Sequence, residues 1–438
     1  MNRKLYLYTL VAALGGLLFG FDTAVINGAL PYFKIQFNLT HAMEGWAVSS
    51  AIVGCVIGAL GIGRLGDAFG RRTMLKVVAL FFFISAAGAG LSPGAALFIL
   101  FRIIGGMAIG GASVLSPMYI SEIAPAASRG RLAITFQLAI VAGILVAFSI
   151  DLMLMNTGIH NWRWMFISGT VPALLFFILL FFVDRSPRWL VKKGLNEEAR
   201  QVLEAVNPGT DSRVLLEEIR KSIDSEVIEH LKFLFKKPYR KLILVGMAIG
   251  MFNQLTGIAV VMIYSSEIFG AAGFSNSSSI LQTVIIGITN LTFTLLAMML
   301  IDTIGRKRML LIGSAGMSIF LAAISVIYFR NLSGYLPLLF MISFVGCFAF
   351  SQGAVIWVLL AEMFPNNIRA RGSSFGSFAH WLFYALLLFL FPVVRKFFPE
   401  NLGIALIFGF FSLATLGGFF FFRKYLVETR GKSLEKMG

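Results

Sequence analysis

Two ionisable side chains, Asp22 and Arg102, stand inside runs of apolar residues long enough to cross a bilayer. A charge at mid-bilayer costs about 2.5–3.5 kcal/mol on insertion scales, so it is kept where it pairs or does chemistry. An aspartate in that setting can take and release a proton. Desolvation favours the protonated carboxyl, whereas a neighbouring guanidinium favours the carboxylate. A motion that separates Asp22 from Arg102 would therefore change proton affinity, which is what coupling requires. A buried ion pair that only fixes helix packing is the plainer alternative.

Other chemistries are poorly represented. No Ser/His/acid or paired-carboxylate arrangement recommends itself, and the four histidines and two cysteines (Cys55 and Cys347, both in apolar runs) show no metal-ligand spacing. GGMAIGG (105–111) is superficially like a phosphate loop, but it lies within an apolar span with no preceding strand. Close helix packing by small residues suits it better. HNWRW (160–164) is expected to be an interfacial aromatic anchor. No enzyme, cofactor or metal centre is expected.

The elements that must hold Asp22 and Arg102 follow from composition. Of 438 residues, 58% are hydrophobic and 13% charged, against roughly half apolar and a quarter charged in soluble chains. A crossing helix needs about 20 apolar residues. Twelve windows qualify, at 6–31, 45–64, 74–92, 95–119, 132–154, 164–183, 242–269, 279–301, 309–329, 335–361, 372–394 and 402–422. The first lacks a small-residue cleavage pattern and is expected to be retained. With both termini placed in the cytoplasm, inner segments carry 31 Lys/Arg and outer segments five. That asymmetry accounts for the net charge of +16 without nucleic acid. Residues 184–241 differ in kind, with acids among the bases and apolar positions at helical spacing in NEEARQVLEAV and SRVLLEEIRKSI. Short amphipathic cytoplasmic helices are expected there, between halves spanning 1–183 and 242–438.

Those halves repeat. GDAFGRR (66–72) recurs as DTIGRKR (302–308), with Asp67 and Asp302 235 positions apart. SEIAPAASRGR (121–131) recurs as AEMFPNNIRAR (361–371), 240 positions on. Two unrelated patterns at nearly one offset indicate duplication, the build of a transporter with its site at the repeat interface. Within the repeated loops Asp67 can pair with Arg71 or Arg72, Glu122 with Arg129, Asp302 with Arg306 and Glu362 with Arg369.

Together with GGLLFGFDTAVING (15–28), FRIIGGMAIGGASVLSPMYISEIAP (101–125), DRSPRWL (184–190), NQLTGI (253–258) and VETRGK (427–432), these loops resemble the sugar porter family of the major facilitator superfamily over the whole length. The resemblance implies an all-α membrane fold of twelve helices in two six-helix bundles. It implies that Asp67, Arg71, Arg72, Glu122, Arg129, Asp302, Arg306, Glu362 and Arg369 form a cytoplasmic gate, a set of charge pairs that break on opening. It also implies that Asp22 with Arg102 marks a proton symporter, since facilitators of the family commonly lack the acid.

A pyranose ring needs amide or hydroxyl partners around its hydroxyls and an aromatic surface for its C–H face. Phe19, Gln137, Asn253, Gln254, Asn290, Trp357, His380 and Trp381 supply those groups at mid-span positions, against the alternative of interhelical polar glue. By resemblance Gln137, Gln254, Asn290 and Trp357 match sugar-contacting positions. Asn253 replaces a glutamine, Ala259 replaces an asparagine, Arg185 replaces an acid, GAVIW (353–357) lacks the usual prolines, and His380 and Tyr384 stand where amides are common. His380 reads as a hydroxyl partner in preference to a second titrating site.

The expected protein is a transporter taking up a monosaccharide or polyol by alternating access with a proton, as a monomer in a bacterial inner membrane with both termini cytoplasmic. A proton-independent uniporter and a non-transporting sugar sensor are the rivals.

Overall fold

A chain in lipid has no water to satisfy its backbone, so long apolar segments become helices. The structure, a computed structural model, describes residues 3–125, 129–207, 211–224, 237–332, 334–364, 369–426 and 428, and these contain helices and turns without strands. Among the described residues, twelve helical spans are long and apolar enough to cross a membrane, from Arg3–Gln36 to Glu400–Tyr425. Each overlaps one window read from hydropathy. Most helices run past the window because hydropathy sees only the hydrocarbon layer. The second span, expected at 45–64, occupies His41–Phe69 and carries Arg64 and Asp67 on its last turns. It stops at Gly70, whose φ of 92° no helix accommodates.

Two spans are interrupted at matching places in the repeat. The first consists of Arg3–Ala24 and Ile26–Gln36 around a turn at Val25, three residues after Asp22. The seventh consists of Lys237–Gln254 and Ile258–Ala271 around Gly257, which takes a φ of 80°. The tenth span loosens into a π-helical turn at Ala349–Gly353 between Leu336–Phe348 and Ala354–Glu362. Interrupted helices free backbone groups and mark transporter sites.

The structure groups into two units, 1–33 with 50–227 and 34–49 with 228–438. In the first, the glycine run 105–111 packs backbone to backbone on the second span: a Cβ on Gly106 would lie 1.8 Å from the Ala51 carbonyl oxygen. In lipid such close packing replaces the hydrophobic drive between helices. Phe98 anchors an aromatic group, with ring centroids 4.7 Å from Phe33, 5.2 Å from Phe166 and 6.1 Å from Trp162. The last contact involves the first tryptophan of HNWRW. Trp162 is fully buried among these rings, Trp164 is exposed, and Arg163 donates to the carbonyls of Gly90 and Ser92 at 2.9 and 2.7 Å.

In the second unit the core joins Ile249, Met309, Leu310, Val355, Leu359, Leu360 and Phe422. Among the described residues, the central segment holds three short helices, Pro187–Lys192, Asn196–Val206 and Ser212–Asp224. Trp189, Leu190, Ala199 and Val202 bury their shared face.

Candidate functional site

Each unit holds its own polar centre. In the first, Arg102 Nη1 donates to Asp22 Oδ2 at 2.8 Å, with both residues buried. Arg102 also lies 5.6 Å from the Phe166 ring centroid, a cation–π contact. Asp22 is brought there by the fold of its span. It sits on the last turn before the break at Val25, against the fourth span at Gly105, where a Cβ would approach its Oδ1 to 3.3 Å. A cavity of about 10 Å³ lined by Asp22, Phe82, Ala86 and Phe166 lies beside the carboxyl. That is about the space of one water. Gln137, on the fifth span, and Phe19, one turn before Asp22, are half-buried in the same unit.

In the second unit the break after Gln254 presents two amides. Both Asn253 and Gln254 are at least 98% buried. Gln254 Nε2 lies 3.0 Å from His380 Nε2 and 3.4 Å from Asn253 Oδ1, which accepts its other hydrogen. An amide nitrogen can only donate, so the facing imidazole nitrogen accepts. This leaves Asn253 Nδ2 and Gln254 Oε1 buried without hydrogen-bond partners among the described residues. One is a donor and the other an acceptor, the pair of functions a hydroxyl group satisfies. Buried amide atoms in folded proteins are nearly always paired, so two open valences side by side suit a ligand.

Aromatic rings gather around His380. His380 lies 4.8 Å from Trp357, 5.3 Å from Trp381 and 6.4 Å from Tyr384 between centroids, the last pair stacked. The structure thus brings together Asn253, Gln254, His380, Trp357 and Trp381. Asn290 is buried on the eighth span and makes no hydrogen bond to this cluster among the described residues. Ala259 is buried on the half-helix after Gly257.

The charged loops resolve in part. Arg71 pairs with Asp67 at 2.7 Å and with Glu122 at 3.0 Å, and Ser186 Oγ donates to Glu122. Arg72 instead donates to the carbonyls of Leu180 and Phe181, both at 2.9 Å. The side chains of Arg129, Asp302, Glu362 and Arg369 lie outside the described residues, so their expected pairs do too. Arg306 donates from Nη1 to the Ile301 carbonyl at 3.3 Å.

Sequence reasoning passed over three acids. Glu428, in VETRGK, accepts the backbone N–H groups of Arg306 and Lys307 at 3.0 and 3.1 Å and so caps the ninth span. Glu267 pairs with Lys34 and, at 3.0 Å, with Arg395, all in the second unit. Asp151 is buried in the fifth span and accepts the Gly28 N–H at 3.1 Å. The rule that flagged Asp22, an acid within an apolar window, applies equally to Glu267 and Asp151.

Known proteins agree with this architecture. Residues 8–438 match the family model described as Sugar (and other) transporter. The arabinose-proton symporter of Bacillus subtilis (strain 168) is 38% identical, over 98% of this chain and 94% of its own. The D-xylose-proton symporter of Escherichia coli (strain K12) is 36% identical, over 100% and 95%. Among solved structures, a partially occluded, inward-open form of the xylose transporter XylE from E. coli superposes with a TM-score of 0.87. That match has 35% identity and covers 99% of this chain and 100% of that one. Family model, near full-length relatives and shared fold coincide: the chain is a twelve-span membrane protein of the sugar transporter family within the major facilitator superfamily, a family of transporters and not of enzymes.

Proposed function

We propose that this protein takes up a monosaccharide, a pentose, hexose or related polyol, together with a proton by alternating access. The observation that carries the proton is the 2.8 Å Asp22–Arg102 ion pair buried in membrane-spanning helices. Relatives that are arabinose– and xylose–proton symporters support it. Protonating Asp22 dissolves the pair and frees Arg102. A state that favours the protonated carboxyl is thereby populated only when the proton is bound, and a ligand moves the equilibrium by the difference in its affinity for the two states.

The sugar is met by Asn253 Nδ2, Gln254 Oε1 and the rings of His380, Trp357 and Trp381, with Phe19, Gln137 and Asn290 as further contacts. The halves 1–183 and 242–438 carry out the exchange, joined through 184–241. Asp67, Arg71, Arg72, Glu122, Arg129, Asp302, Arg306, Glu362 and Arg369 serve as the cytoplasmic gate. The protein works as a monomer in a bacterial inner membrane, both termini cytoplasmic.

External pH is followed while hexoses, pentoses and inositols are added one at a time to energy-depleted cells expressing the protein. Alkalinisation with one sugar names the substrate and establishes symport. Entry of labelled sugar with no pH change makes the protein a uniporter and leaves Asp22 a packing partner of Arg102.

A further inference from the structure

Asp151 is a buried acid that neither the proton nor the sugar requires. It is 1% exposed, and no Lys, Arg or His lies within ion-pair distance of it among the described residues. Its Oδ2 accepts the backbone N–H of Gly28 at 3.1 Å, and its Oδ1 has no hydrogen-bond partner among the described residues. A carboxyl is costly in a bilayer. Here it is spent on one backbone group, in the first turn of the half-helix Ile26–Gln36, just beyond the break at Val25.

The contact is tight. A Cβ on Gly28 would lie 2.5 Å from Asp151 Cβ and 2.6 Å from Oδ2. On the other side of the break the first span meets the same fifth span backbone to backbone. Cβ atoms on Gly20 and Gly143 would lie 1.9 Å from the Ile140 carbonyl oxygen and 2.0 Å from that of Leu17. The fifth span therefore holds both halves of the first, one by close packing and one through Asp151. Asp22 sits on the stretch between these attachments, and Gln137 sits on the span that makes them.

We propose that Asp151 is a positioning residue for transport: its carboxyl pins the half-helix Ile26–Gln36 to the fifth span and so fixes the break that sets Asp22 against Arg102. The transport consequence rests on the proton role proposed for Asp22; the clamp itself does not.

Hydrogen–deuterium exchange of peptides covering 19–33 reads the clamp directly, and purified protein in liposomes gives proton-driven accumulation and sugar counterflow. Asp151→Ala is expected to speed exchange of amides 26–29 and to lower accumulation by about fivefold or more, the worth of one hydrogen bond. Counterflow should stay within about twofold of wild type, below that same worth. Asp151→Asn keeps an acceptor oxygen and is expected to restore both readouts. Gly28→Ala attacks the contact from the other side, so it covers the case in which Asp151→Ala fails to fold. Combined with Asp151→Ala it should cost less than the sum of the two single changes, because both act through one contact while the Cβ at position 151 remains.

Unchanged exchange at 26–29 in both Asp151→Ala and Gly28→Ala overturns the clamp. Loss in Asp151→Asn equal to that in Asp151→Ala overturns its hydrogen-bond basis. A wild-type protein that never accumulates sugar on a proton gradient refutes the coupling role of Asp22 and leaves the clamp to be decided by exchange alone.

Discussion

At the residue scale, the arrangement around Gln254 divides labour among atoms. Its nitrogen is engaged by His380 and Asn253, so its oxygen and the Asn253 nitrogen are what remain for the hydroxyl of the proposed sugar. Removing a group that meets a substrate hydroxyl costs about 1–3 kcal/mol, because its partner is left buried and unpaired. Gln254→Ala should therefore raise the KM for uptake by about tenfold or more. His380→Leu should act in the same direction and less strongly, since it frees Gln254 to turn without removing its oxygen. Initial-rate uptake across a concentration series checks both; a Gln254→Ala protein with wild-type KM would mean that the open valences face no substrate. The types of these residues were legible in the sequence, as were their mid-span positions. Their mutual pairing was not, because it depends on which side chains meet between the seventh and eleventh spans. For the same reason Arg72 finds backbone carbonyls where the loop pattern offered it Asp67.

At the element scale, interruption of helices places the chemistry. The breaks at Val25 and Gly257 adjoin Asp22 and Gln254, and the π-helical turn at Ala349–Gly353 precedes Trp357 by one turn. Gly257 in NQLTGI gave a sequence signal for its break. The break at Val25 gave none, since GFDTAVING reads as one apolar run. Helix ends were equally uneven. Gly70 and Gly305 stop their spans at matching places, with φ of 92° each, and the repeated loops announce both. Glu428 closes the start of the ninth span from a distant part of the chain, which no local pattern reveals. Glu428→Ala leaves those N–H groups uncapped, a loss of about 0.5–2 kcal/mol. A melting temperature lower by about 1 °C per kcal/mol is expected in a thermal-shift assay of the detergent-solubilised protein. An unchanged transition would show the cap to be energetically idle.

At the scale of the whole molecule, composition decided most. Twelve apolar windows, the 31-to-5 asymmetry of basic residues and the 235- and 240-residue repeats together specify a duplicated membrane transporter. The family match and the twelve observed spans agree with it. Hydropathy counts what lipid demands, so it recovers spans well, yet it is blind to acids such as Asp151 and Glu267 that a twenty-residue window averages away. The proposed carriage of a proton with the sugar turns on Asp22, and the most direct test compares wild type with Asp22→Asn in proteoliposomes under an imposed pH gradient. Proton coupling at Asp22 requires that wild type accumulate sugar above its external concentration, and that Asp22→Asn exchange sugar by counterflow while only equilibrating it. Accumulation against the gradient by Asp22→Asn would contradict that role.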